Sequence, residues 1–124
     1  MWYGPTIQNR AESPDLAADV HIEATSPWFR GHFPGRPVLP GIAQLGMVFD
    51  LIQQGFNEPV RLMAVNRVRF KQLILPDDRI RIEVTPKANK AGMYVFRILK
   101  ENELISNGIL AVKKSTETLG APEL

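Results

Sequence analysis

The chain has 124 residues, 44% of them hydrophobic, and no cysteine. That length supplies one core of ordinary size and not two, and the absence of thiols excludes disulfides, thiolate nucleophiles and cysteine-held zinc. Its 15 Lys and Arg against 13 Asp and Glu leave a formal charge of +2, which is too mild to indicate nucleic acid, and no basic arm, zinc-finger spacing or aromatic-rich RNA motif adds to it.

Residues 1–17 scatter Pro, Asn, Ser and Asp and lack the basic-then-apolar pattern of a signal peptide. An irregular segment or a short first strand is expected there, in a cytoplasmic protein. Asp19-Val20-His21-Ile22-Glu23-Ala24 alternates polar and apolar, as a strand covered on one face does, which puts His21 on the solvated side. A loop rich in Gly and Pro then begins near Trp28 and Phe29, two aromatics expected to pack in the loop and core. It feeds a segment containing Ile42, Ala43, Leu45, Met47, Val48, Phe49, Leu51 and Ile52, whose apolar positions cover more than one helical face and predict a helix enclosed by other structure. Pro40 suits the first turn, where its missing N–H costs nothing, and Gly55 suits the stop. At about fourteen residues the segment is too short for a bilayer, which needs roughly twenty, so no membrane span is expected.

After the helix the pattern is all strand. Residues 62–70 carry Val65, Val68 and Phe70, with Arg67, Arg69 and Lys71 alternating on the other face. A turn at Pro76-Asp77-Asp78 precedes an alternating run over residues 79–84, and short polar turns at 87–92 and 101–103 separate it from strands at 93–99 and 104–112. Asn107-Gly108 is a hairpin signal in isolation. The apolar pairs on either side are too short to be separate strands, so Gly108 is read as a bulge or bend within one. Residues 115–124 read as a loose tail. The short connections make neighbouring strands antiparallel, giving a single α+β domain over residues 1–124 in which one sheet wraps one long helix. Its bare edge and second face favour dimerisation.

The loop is more specific than this pattern. Gly31-His32-Phe33-Pro34-Gly35-Arg36-Pro37-Val38-Leu39-Pro40-Gly41 resembles the active-site signature of the 3-hydroxyacyl-acyl-carrier-protein dehydratases, which have the hot-dog fold. Thr25-Ser26-Pro27-Trp28-Phe29 is similar to that family's approach to the loop. Val68-Arg69-Phe70-Lys71-Gln72-Leu73-Ile74-Leu75-Pro76-Asp77-Asp78 is similar to its strand and Pro-Gly-Asp turn, with Asp77 in place of Gly. The likeness covers residues 19–113, and the family's N-terminal strand is not recognisable in residues 1–17.

The resemblance implies removal of water from a 3-hydroxyacyl thioester. His32 would be the base and the Gly41 N–H the donor to the thioester oxygen, with Phe33, Pro40, Trp28 and Phe29 lining the acyl site. Arg67, Arg69 and Lys71 would dock the acidic carrier. No metal or cofactor is implied, because the substrate brings its own phosphopantetheine on acyl carrier protein or CoA. The family's general acid, a Glu or Asp fourteen residues after the His and supplied by the partner subunit, falls on Gly46. The nearby carboxylate is Asp50, about one turn or 6 Å along the helix. Three readings follow: a homodimeric dehydratase with Asp50 as replacement acid; a non-catalytic, carrier-binding or heterodimer subunit; and an acyl thioesterase that uses Asp50 as its helix carboxylate.

Overall fold

The computed structural model describes residues 4–9, 16–29 and 37–115. Strands β1 (Gly4–Asn9), β2 (Leu16–His21), β3 (Val60–Phe70), β4 (Arg79–Pro86), β5 (Met93–Lys100) and β6 (Glu103–Lys114) form one antiparallel sheet in the order β1-β2-β4-β5-β6-β3. Helix α1 (Gly41–Gln54) lies against it. Val20, Ile80, Ile82, Val84, Phe96, Ile98 and Leu110 of the sheet pack with Ala43, Met47, Val48, Leu51 and Ile52 of the helix as one buried cluster. Alternation at period 2 in the strands and a stripe at helical period in α1 bring these side chains to one layer.

Several expectations change in detail. β1 occupies part of the segment read as irregular or a short strand. β2 starts three residues before the expected boundary and ends at His21, because Ile22 leaves the ladder to bond the turn before β4: its N–H donates to the Asp78 carbonyl at 2.8 Å and its carbonyl accepts from the Asp77 N–H at 2.6 Å. His21 is not simply solvated, since its Nε2 lies 3.2 Å from Asp77 Oδ1. Asp77 stands at φ +67°, the left-handed conformation that Gly adopts most readily, in the turn where the resemblance implies Gly. The β5–β6 turn takes the same conformation at both Glu101 and Asn102, as a two-residue hairpin of type I′ requires.

β6 runs unbroken through Asn107-Gly108, and the bulge sits across from it in β3. The register passes from Asn66 opposite Ile109 to Arg69 opposite Asn107, so that Arg67 and Val68 together face Gly108 and β3 carries one extra residue, with Arg67 at φ +54°. Gly108 makes the room: a Cβ there would lie 2.8 Å from both the Phe96 ring and Val68 Cγ2. Of the three cations expected on one face, Arg67 lies in the bulge itself and Arg69 follows it in regular alternation with Phe70.

Asp78 fastens the segment between β3 and β4. Its Oδ2 accepts the Leu75 N–H and its Oδ1 accepts Lys100 Nζ, both at 2.8 Å. The hydrogen bond to Asp78 holds the Lys100 ammonium above its ordinary pKa of 10.5; desolvation opposes this, and attraction to Asp78, Glu101 and Glu103 adds to it. A group raised in the folded state stabilises fully below its unfolded pKa, and that contribution fades as pH rises through the folded value. Asp78→Asn should therefore lower the urea midpoint at neutral pH, and its deficit against the unsubstituted chain should narrow once the pH passes 10.5.

Candidate functional site

The site is built where the loop meets α1. Leu39 is buried and its N–H donates to the Ile74 carbonyl at 2.8 Å, which ties the loop's end to the segment that Asp78 fastens. Pro40 follows in extended conformation (φ −63°, ψ 153°) as N-cap rather than inside the first turn, and its carbonyl accepts the N–H groups of Ala43 and Gln44 at 3.1 and 3.2 Å. The Gly41 and Ile42 N–H groups have no partner among the described residues. They project from the positive end of the helix dipole, where a developing anion is stabilised.

Phe70 completes this corner. A Cβ on Gly41 would lie 2.6 Å from Phe70 Cζ, so the ring packs on the Gly41 backbone and would have to shift for any larger residue there. Phe70 stands opposite Ser106 on the helix side of the sheet and keeps 50% of its surface exposed. The sequence placed Phe70 on a strand, but strand alternation does not say which helix residue it will meet. Beside it, Pro37, Val38, Leu73, Leu75 and Pro76 line an open apolar hollow of about 340 Å³.

The helix presents a second face to the outside. Ile42 (71% exposed), Gly46 and the half-buried Asp50 recur at four-residue intervals, so they share that face. The expected enclosure of α1 on more than one side is therefore incomplete in a single subunit. Nothing lies within 4 Å of where a Gly46 Cβ would stand. Gln44 faces the opposite way and is buried, accepting a hydrogen bond from the Ser106 hydroxyl at 2.9 Å. That bond satisfies two polar groups which would each cost about 1–3 kcal/mol if left unpaired.

Asp50 lies nine residues after Gly41, about 13 Å along the helix axis. The two therefore cannot serve one small reacting centre from the same chain. Trp28 and Phe29 sit in a short 3-10 turn, Pro27–Phe29, half-buried against the core, with the Trp28 N–H donating to Ser26 Oγ at 3.2 Å. His32 and Phe33 lie outside the described residues. Arg67, Arg69 and Lys71 are exposed at the β3 end nearest Gly41, with Arg69 directed to the face of the sheet away from the helix, opposite Asn107. Among the described residues no helix is long and apolar enough to cross a membrane, and no cluster of three or more His, Asp or Glu is placed to hold a metal.

A sheet curled about one long helix whose N-terminus meets a Pro-Gly loop is the hot-dog architecture. A chain of the dehydratase heterocomplex ApeI:P from Xenorhabdus doucetiae superposes with a TM-score of 0.74 at 24% identity over 90% of this chain and 99% of that one. An uncharacterised protein from Erwinia carotovora gives 0.77 at 22% identity over 94% and 100%. The model of the ApeI-like family, described as ApeI dehydratase, matches residues 7–109, and the chain belongs to that family. It is also similar to 3-hydroxyacyl-[acyl-carrier-protein] dehydratases FabZ, at 32% identity to that of Alkalilimnicola ehrlichii over 66% of this chain and 59% of the relative. The corresponding figures are 37%, 64% and 61% for Symbiobacterium thermophilum, and 28%, 82% and 75% for Klebsiella pneumoniae. The chain thus spans about three-fifths of the length of the first two of these relatives.

Proposed function

We propose that this chain dehydrates 3-hydroxyacyl thioesters carried on phosphopantetheine, in fatty-acid or polyene synthesis in the cytoplasm, and that it does so as a dimer. The observation that carries the reading is the Pro40–Gly41 junction: a helix N-terminus with uncommitted N–H groups, anchored through Leu39 and roofed by Phe70, at the end of the dehydratase-like loop. The thioester oxygen would accept from the Gly41 N–H as negative charge builds on it. The His32 imidazole would take the proton from the carbon next to the thioester carbonyl. The C–O bond to the 3-hydroxyl then breaks, and that oxygen leaves as water with a proton from a carboxylic acid. Proton transfers balance the step, and no cofactor takes part.

The acid is assigned to Asp50 of the second subunit, acting directly or through one water. The bare edge strand β3 and the open face of α1 supply the contact between subunits. β3 borders the sheet with Leu62, Met63, Val65 and Phe70 each at least 39% exposed, a row that a monomer would leave in water. The test is hydration of a crotonyl thioester, the reverse reaction. His32→Ala should lower its rate by about 10²–10⁴; undiminished activity rejects the assignment. Release of free thiol without hydration, abolished by Asp50→Asn, would instead make the chain a thioesterase.

A second reading rests on the open space at Gly46, which admits a carboxylate from a different hot-dog chain. The ApeI:P relative is by its description a heterocomplex. Protein that is inert alone and active when co-expressed with another hot-dog subunit would favour this heteromeric form.

A further inference from the structure

Toward the β5–β6 turn Arg81 pairs with Asp19 and Glu83, Arg97 with Glu83, and Lys100 with Asp78. At the other end, where α1 finishes, stand Arg61, Lys87, Lys90, Lys113 and Lys114, with Lys114 Nζ 4.0 Å from Glu58 Oε2. Arg61 and Lys113 stand directly opposite one another in the β3–β6 ladder, a like-charge pairing that destabilises a sheet. The 87–92 turn is held beside them by the Val112 N–H donating to the Gly92 carbonyl at 2.8 Å. Among the described residues Arg61, Lys87 and Lys90 have no ion-pair partner.

This basic end is not flat. Lys113 and Lys114 rim a hollow of about 480 Å³ whose apolar lining includes Phe56, Met63, Tyr94 and Val112, with Phe56 and Tyr94 meeting edge to face at 6.4 Å. Cations beside an apolar hollow complement an acidic helix that carries one projecting apolar side chain. The position also suits the proposed dimer. Two β3 edges related by a two-fold axis run antiparallel, which sets the Val60 end of one strand toward the Phe70 end of the other. The basic end of one subunit is thereby brought alongside Gly41 of its companion.

We propose that this end, rather than the Arg67, Arg69 and Lys71 segment, is the docking surface for an acidic helix of the carrier protein that presents the thioester. The proposal rests on the dehydratase reading for its partner's identity, and a binding measurement tests it apart from turnover. Purified apo acyl carrier protein is titrated into the full chain by fluorescence anisotropy at low and high salt. Arg61→Glu/Lys87→Glu/Lys90→Glu should weaken binding about tenfold or more at low salt, the scale at which charge steering acts, with the difference shrinking as salt rises. The turn variant Lys87→Gln/Lys90→Gln, which touches no core residue, should show a smaller loss of the same sign. A chain that binds carrier but hydrates no thioester would discard the catalytic reading and keep the surface. No carrier binding, unchanged affinity in both variants, or a loss confined to Arg67→Glu/Arg69→Glu/Lys71→Glu would overturn the surface itself.

Discussion

Asp50→Asn should lower the hydration rate of a crotonyl thioester by about 10²–10⁴, the usual worth of a positioned general acid, and Gly46→Glu in the same chain should recover it. The rescue is expected because nothing in the fold demands glycine at position 46. A Cβ there meets open space, and the position is exposed. Replacing Gly by Glu inside a helix also favours the helix by roughly 0.5–1 kcal/mol. The added carboxylate would project from the same face as Asp50, one turn nearer Gly41, where the family resemblance puts the acid. Four chains measured side by side decide the matter: unsubstituted, Asp50→Asn, Gly46→Glu and the double variant. If Asp50→Asn leaves the rate untouched, Asp50 is not the acid. If Gly46→Glu fails to rescue a folded double variant, the acid's place on α1 is wrong.

The loop and the helix were legible in the sequence for different reasons. Pro40 and Gly55 bracket α1 within a residue of its observed ends because proline and glycine act locally, through a missing N–H and through chain freedom. The reading of β6 through Asn107-Gly108 held because a strand needs a minimum length to pair. What the sequence hid are the contacts that close across the fold. Phe70 against Gly41 depends on where the β3 bulge falls, and that bulge depends on Gly108 in a strand some forty residues away. The buried Gln44–Ser106 bond joins residues 62 positions apart. Arg67 falls within the β3 bulge, which strand alternation does not foresee, while Arg69 and Phe70 keep the opposite faces expected of them. The acid's absence, by contrast, was plain from counting along the helix.

Introducing Leu62→Lys/Val65→Lys on β3 should yield a folded monomer with turnover reduced by at least about 10². Leu62 and Val65 face the helix side of the sheet, opposite Val112 and Leu110, yet each remains about two-fifths exposed (43% and 39%) because β3 is the edge. Lysine can extend from such positions into water without opening the core, whereas two lysines on each of two abutting strands would face one another across the seam. Inward-pointing charge on an edge is a known barrier to strand addition. The activity loss follows from length alone: within one chain about 13 Å of helix separates Gly41 from Asp50, so the donor of one subunit and the acid of the other can meet only in the pair. Sedimentation velocity at micromolar concentration reads the association, and the crotonyl assay reads the chemistry. A monomer that retains full turnover would mean that each chain carries a complete site and that the acid lies elsewhere than on α1.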